Sequence, residues 1–317
     1  MTTQSITLKP ARAGKIKRPL WKDIKRDYWL YIFLIPVIAY YALFRYLPMY
    51  GLQIAWKDFK LIDGIWGSPW VGWKHFEKLF NTRDFPMILR NTVLLNVYSL
   101  VIGFPMPIML ALLFNEVRLL WFKRFTQQLI YIPHFFSWVV MGGMVIGVLS
   151  PSTGIVNAIV KLFGGEPVYF MISTFWWPLV FVISGIWKEA GWGTIVYLAA
   201  ISGVDQELYE AAYIDGANRW KQTWHITLPC IRPTIVILLI LRMGSMMDVG
   251  FEQVYILMTT PVRSVADVIS TYVYRMGIEN IYYSQTTALG LFQSIISCVL
   301  LLSTNYTSRK LTGGGIW

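Results

Sequence analysis

Charge is what this sequence has least of. Asp, Glu, Lys and Arg make up 14% of its 317 residues, against roughly 25% in soluble domains, while 56% are hydrophobic and 16% aromatic. A single water-soluble core cannot absorb that balance. Cysteine is almost missing: Cys230 and Cys298 both lie in or beside apolar runs, so no disulfide framework is available. The three histidines, His75, His134 and His225, stand apart, with no H-E-x-x-H pair and no G-x-S-x-G elbow. His134 follows Pro133 at the end of an apolar run and reads as a packed or interfacial side chain. The stretch "DQELYE" lacks metal-ligand spacing, and no G-x-x-x-x-G-K-[ST] phosphate loop occurs. No catalytic residue, metal site or cofactor is therefore assigned to the chain. Its net charge of +11 does not indicate nucleic acid, because the basic residues gather at the ends of apolar runs instead of forming a stripe on a polar surface.

What is present in quantity is long apolar runs. A bilayer core of about 30 Å asks for about 20 apolar residues per helix. Six candidates meet it: Tyr28 to Leu47, Thr92 to Phe114, Leu129 to Leu149, Thr174 to Ala200, Pro233 to Val249 and Thr287 to Tyr306. The second carries Pro105 and Pro107, which a membrane helix absorbs as a kink where neighbours satisfy the freed carbonyls. Lysine and arginine favour the cytoplasmic side of short loops. With the N-terminus inside, sixteen of them fall inside and nine outside, which places both termini in the cytoplasm. Residues 1–27 read as a basic arm attracted to anionic lipid, and residues 28–317 as one transmembrane domain.

On that count the segment "LYEAAYIDGANRWKQTWHITLP" is cytoplasmic, within a polar stretch over 202–230. Asp205 suits a helix N-cap, Gln206 to Ile214 a short helix, Gly216 a turn with φ > 0, and Asn218 to His225 a second short helix. Ala211 and Ala212 are small enough to let another surface approach, and Glu210 can pair with a base there. Read locally, the pattern fits either a solvated loop or a docking surface.

At these residues the chain resembles the membrane-spanning permease subunits of bacterial ABC importers. Their signature, E-A-A, two residues, D-G-A, then I-x-L-P, falls on Glu210, Ala211, Ala212, Asp215, Gly216, Ala217, Ile226, Leu228 and Pro229. An aromatic common thirteen residues after the glutamate is Thr223 here, followed by Trp224. The stretches "VGWKHFEKLFNTRDFPMILRNT", "IPHFFSWVVMGGMVIGVLSPSTGIVNAIV" and "LGLFQSIISCVLLLSTNYTSRK" are similar to carbohydrate permeases of the maltose-permease-like family, and the last to its LplB-type oligosaccharide branch. The resemblance covers about Trp70 to Lys310. It implies an all-α polytopic protein with the six-helix type I importer fold in the bacterial cytoplasmic (inner) membrane. It also implies a second permease subunit, an ATPase dimer holding ATP and Mg, and an extracytoplasmic sugar-binding protein. The segment around Glu210 would be the element that docks on the ATPase.

Charges inside apolar runs are costly and normally face a protein interior or a wet cavity. Lys188, Glu189 and Arg242 are such charges. Lys188 and Glu189 point about 100° apart on a helix, which predicts pairing with other helices more than with each other. Counting from the signature by analogy with the maltose permease puts sugar contacts at Lys188, Glu189, Trp192, Arg242, Ser245, Met246 and Val249. Asp248 and Glu252 fit a gate or a binding-protein contact, and two cations also suit uronic acids. The alternative reading is a proton-coupled secondary transporter relaying through Lys188, Glu189 and Asp248.

Overall fold

The computed structural model describes residues 28–312 and 315–316; the basic arm expected over 1–27 lies outside the described residues. The chain divides into two compact units, up to Gln53 and from Ile54. The described residues are helical, with no β-strand and one isolated antiparallel bridge between Lys57 and Trp70.

In the first unit, helix α1 (Tyr28–Tyr41) carries Pro36 and buries none of its residues. It continues through a π turn and a 3₁₀ stretch, so the helical run reaches Trp56, well past the expected limit at Leu47.

In the second unit the chain order is α2 (Lys74–Phe80), α3 (Asp84–Tyr98), α4 (Pro105–Glu116), α5 (Leu120–Tyr131), α6 (Trp138–Val148) and α7 (Ile155–Leu162). Then come α8 (Trp177–Ser202), α9 (Gln206–Ile214), α10 (Arg219–Gln222), α11 (Leu228–Gly244), α12 (Phe251–Leu257) and α13 (Tyr283–Thr312). Five helical runs among the described residues are long and apolar enough to cross a membrane: Tyr28–Trp56, Asp84–Glu116, Trp177–Ser202, Arg219–Gly244 and Tyr283–Lys310. The third expected span, Leu129 to Leu149, is not one straight helix. Leu120–Phe135 and Trp138–Val148 meet at a bend of 110°. Pro133 cannot donate to the helical ladder, and Phe136 and Ser137 take extended backbone before the Ser137 hydroxyl caps the next helix at Val140 N–H.

Two further boundaries depart from expectation. The fifth span ends at Gly244 and not Val249, since the Ser245 hydroxyl turns back onto the Arg242 carbonyl at 2.9 Å and the chain leaves the helix. At its other end it has no separate short helix before it. α10 runs through a π turn, Thr223–Thr227, straight into α11. Pro229 does not break this run; it follows directly on the π turn, where the i→i−4 ladder is already interrupted.

The core centres on α8. Of its apolar window 44% is buried, against 11% for Asp84–Glu116 and 17% for Arg219–Gly244, and both of these spans pack on it. Its first half joins Leu95, Val145, Val254 and Leu257 through Trp177, Val180 and Phe181. Its second half joins Ala111 and Ile231 through Tyr197 and Ile201. The approach of α5 to α8 depends on Gly191, where a β-carbon would fall on the Ile130 carbonyl.

Outside the spanning helices, His75 of α2 is 7% exposed, and its Nε2 has no hydrogen-bond partner and lies 3.7 Å from Asp58 Oδ1. Burial holds the imidazole below its ordinary pKa; Asp58 pulls the other way but less strongly.

Gly191→Ala should lower the melting transition in detergent by an overpacking cost of about 1–3 kcal/mol, whereas Gly143→Ala, with open space at its β-carbon, should leave it unchanged. For His75 the folded pKa lies below the unfolded one. Its contribution to stability is thus complete above about pH 6.5 and is lost as pH falls through the folded value. Melting followed from pH 7.5 to 5 should show less acid destabilisation in His75→Gln than in the wild type.

Candidate functional site

A cavity of about 470 Å³ opens where the α3–α4 junction, the middle of α8 and the end of α11 face one another. Ser99, Gly103 and Pro107 line one side, Gly185, Glu189 and Ala190 the next, and Arg242, Ser245, Asp248 and Val249 the third, with Trp138 and Gln253 completing the wall. Arg242 is held there by Asn96 Oδ1 at 3.1 Å, with the Ser245 hydroxyl at 3.5 Å. Gln253 is fixed by the Phe181 carbonyl at 2.7 Å and the Ser184 hydroxyl at 3.2 Å. A second cavity of about 520 Å³, between α3 and the start of α8, is mostly apolar with Arg90 at its margin. The first gathers two carboxylates, a guanidinium, amides and an indole at one place, and so suits a polyhydroxylated solute.

The seven expected path residues separate in this arrangement. Glu189, Arg242, Ser245 and Val249 line the cavity; Lys188, Trp192 and Met246 do not. The Lys188 ammonium points instead at the break between α5 and α6, donating to the carbonyls of His134 at 2.7 Å and Phe136 at 2.8 Å. Its Nζ is also 3.8 Å from Glu189 Oε1. The expectation that these two neighbours pair with other elements more than with each other holds, the 3.8 Å between them being the longest of these contacts. Glu189 in turn meets His134 Nδ1 at 2.9 Å, and Trp192 stacks on the His134 ring with centroids 4.6 Å apart. Trp177 is fully buried with its indole N–H on the Leu257 carbonyl, a packing role. Asn96 and Gln253 were missed by the sequence reading. The one signal available was that both are amides in or beside apolar runs.

The second feature is the 205–217 turn. The Asp205 carboxylate caps α9 at Glu207 N–H, 3.0 Å, and Gly216 follows with φ +76°. The Ala217 N–H returns to the Ala212 carbonyl at 2.9 Å, and Asn218 caps α10 through Lys221 N–H at 2.9 Å. Tyr209 and Thr227 hydroxyls, 2.9 Å apart, fasten α9 to the start of α11. Arg219 meets Glu116 at 2.7 Å, an exposed pair worth at most about 1 kcal/mol. Glu210, Ala211, Asp215 and Gly216 face outward, while Ala212 and Ala217 are half-buried. The same surface exposes 84% of Ile214 and 82% of Trp220, which a merely solvated loop does not require. From Ser202 to Glu189 the rise of α8 separates this turn from the cavity by about 20 Å.

A helical membrane protein with a polar cavity among its spans and an outward-facing turn beneath it has the form of a transport permease. Residues 103–312 match the family described as binding-protein-dependent transport system inner membrane component, and the chain belongs to it. It is 47% identical over 294 residues to protein LplB of Bacillus subtilis (93% of this chain, 92% of that one). It is 45% identical over 303 residues to the polygalacturonan/rhamnogalacturonan transport system permease protein YteP of the same organism (96% and 94%). A chain of a bacterial ABC transporter that imports the acidic polysaccharide alginate superposes with a TM-score of 0.86 at 45% identity, covering 92% of this chain and 99% of that one. YteP and the alginate importer are transport proteins by name, and the matched family is a transport component, not an enzyme family.

Lys188→Met leaves two carbonyls of the break unpaired and should cost about 1–3 kcal/mol for each. Membrane abundance and melting should fall first, and solute preference should not change in the protein that remains. Altered preference at normal abundance would return Lys188 to the path.

Proposed function

We propose that the chain is the permease subunit through which an ATP-driven importer passes acidic oligosaccharides across the bacterial inner membrane. The observation that carries this reading is the cavity presenting Arg242 beside Glu189, Asp248 and Trp138. The guanidinium suits a uronate, the carboxylates suit sugar hydroxyls and the indole suits a ring face. Relatives that transport polygalacturonan/rhamnogalacturonan and alginate support the substrate class. A second, related permease completes the cavity. A related importer has been captured with a pentasaccharide-bound periplasmic protein, which supports a delivering sugar-binding protein outside.

On the same reading Glu210, Ala211, Ala212, Asp215, Gly216 and Ala217 form the docking face for an ATPase dimer that binds ATP and Mg, so this face and both termini are cytoplasmic. Exposed Ile214 and Trp220 give that dock an apolar area, and Glu210 gives it a charge. Lipid surrounds the spans. The family relation lends no support to a proton-coupled transporter, and Lys188 is committed to backbone carbonyls and not to a relay.

The test is uptake into proteoliposomes by the importer purified with its associated subunits. Oligogalacturonate or oligoalginate should enter only with ATP and binding protein. Arg242→Gln should reduce that uptake at least about tenfold, the equivalent of one charge-assisted hydrogen bond, and spare a neutral oligosaccharide. Glu210→Lys and Gly216→Val should insert normally and abolish uptake of both, the second because a β-branched residue resists φ > 0. ATP-independent uptake, or equal handling of both sugars by Arg242→Gln, would overturn the reading.

A further inference from the structure

Helix α7 is amphipathic in the inverted sense. Its protein-facing side holds Val156, Asn157 and Val160, with Asn157 only 1% exposed. Its outward side carries Ile155, Ile159 and Leu162, followed by Phe163, with exposures of 64, 48, 84 and 89%. At 100° per residue these four fall within an arc of about 100°. Lys161, the one charge on the helix, lies about 100° beyond the edge of that arc, off the apolar face. A helix turned toward water shows the opposite distribution.

The level at which α7 is held says what covers it. Asn157 Nδ2 donates to the carbonyls of Leu149 and Ser150, at 3.1 and 3.2 Å, and to Val168 at 3.1 Å, while its Oδ1 accepts from Val168 N–H at 2.7 Å. The first two carbonyls end helix α6. Leu149 packs with Val145 against Trp177 and Val180, the first turn of the membrane span α8. The clamp therefore fixes α7 level with the end of a spanning helix, at the end opposite the Gly216 turn. Exposed Tyr169 and Phe175 lie in the chain between α7 and that span, aromatics of the kind enriched at the membrane–water boundary.

We propose that α7 lies in the surface of the lipid bilayer on the side opposite the Gly216 turn. Ile155, Ile159, Leu162 and Phe163 enter the boundary between headgroups and acyl chains. Such helices sit about 5–10 Å into that boundary. α7 is then an anchor that holds the end of the bent α5–α6 pair at a fixed depth.

The test uses the importer assembled in nanodiscs of phosphatidylethanolamine and phosphatidylglycerol. Exposed Cys230 and Cys298 are first replaced by serine. Nitroxide labels are then placed one at a time through Leu162→Cys, Phe163→Cys and, as a water reference, Glu166→Cys. Collisions with oxygen should dominate at 162 and 163, with loss of the collisions with a water-soluble nickel complex that position 166 retains. Adding the binding protein should change neither. Nickel collisions at 162 and 163 equal to those at 166 would overturn the proposal by placing the face in water. Loss of both oxygen and nickel collisions would overturn it in favour of a second permease, and loss only on adding binding protein in favour of that partner.

Discussion

A helix that breaks inside a membrane releases carbonyl oxygens that hydrocarbon cannot hydrate, and this structure meets that constraint with one ammonium. Lys188 reaches from the most buried span to the carbonyls of His134 and Phe136. The bend of 110° then becomes tolerable at membrane depth, where irregular backbone persists only if protein satisfies it. Trp138, the first residue after the break, is thereby carried to the cavity wall. Glu189 lies against His134 and His134 against Trp192, and on the other flank the Trp138 ring lies 5.7 Å from the Lys188 ammonium, so both flanks of the break are tied to the same helix. Close packing of the two helices requires a residue without a side chain at Gly191, three positions on from Lys188.

The cavity is thus built from polar groups that were placed for different reasons. Lys188 serves the backbone of the break, whereas Arg242 is held by the neutral partners Asn96 and Ser245 and keeps its charge directed to the cavity. A guanidinium oriented by an amide and a hydroxyl, with no carboxylate in direct contact among the described residues, keeps donors open to an anionic solute, while Asp248 acts on it from farther off.

What the sequence showed most clearly was what depends on local letters. The apolar runs announced the spans, Asp205 its cap, and Gly216 its positive φ, because each follows from a few adjacent residues. The two proline-marked sites were harder. Pro133 accompanies a sharp break whereas Pro229 and Pro233 accompany none, a difference that the prolines alone do not reveal. Lys188 lies off the cavity wall for a reason the sequence does not show: its partners are backbone carbonyls more than 50 residues upstream, and a carbonyl leaves no mark on the sequence. Counting from the signature lands on that wall at Glu189, Arg242, Ser245 and Val249.

The absence of a break between α10 and α11 has a mechanical meaning. From Arg219 to Arg242 the helical rise amounts to about 35 Å, with the Gly216 turn at one extremity and the cavity's guanidinium at the other. Such a rod acts as a lever arm: a tilt of roughly 10° about its foot displaces its tip by about 6 Å at that length, the width of a sugar ring. The π turn at Thr223–Thr227 and the prolines at 229 and 233 are where such a lever would flex.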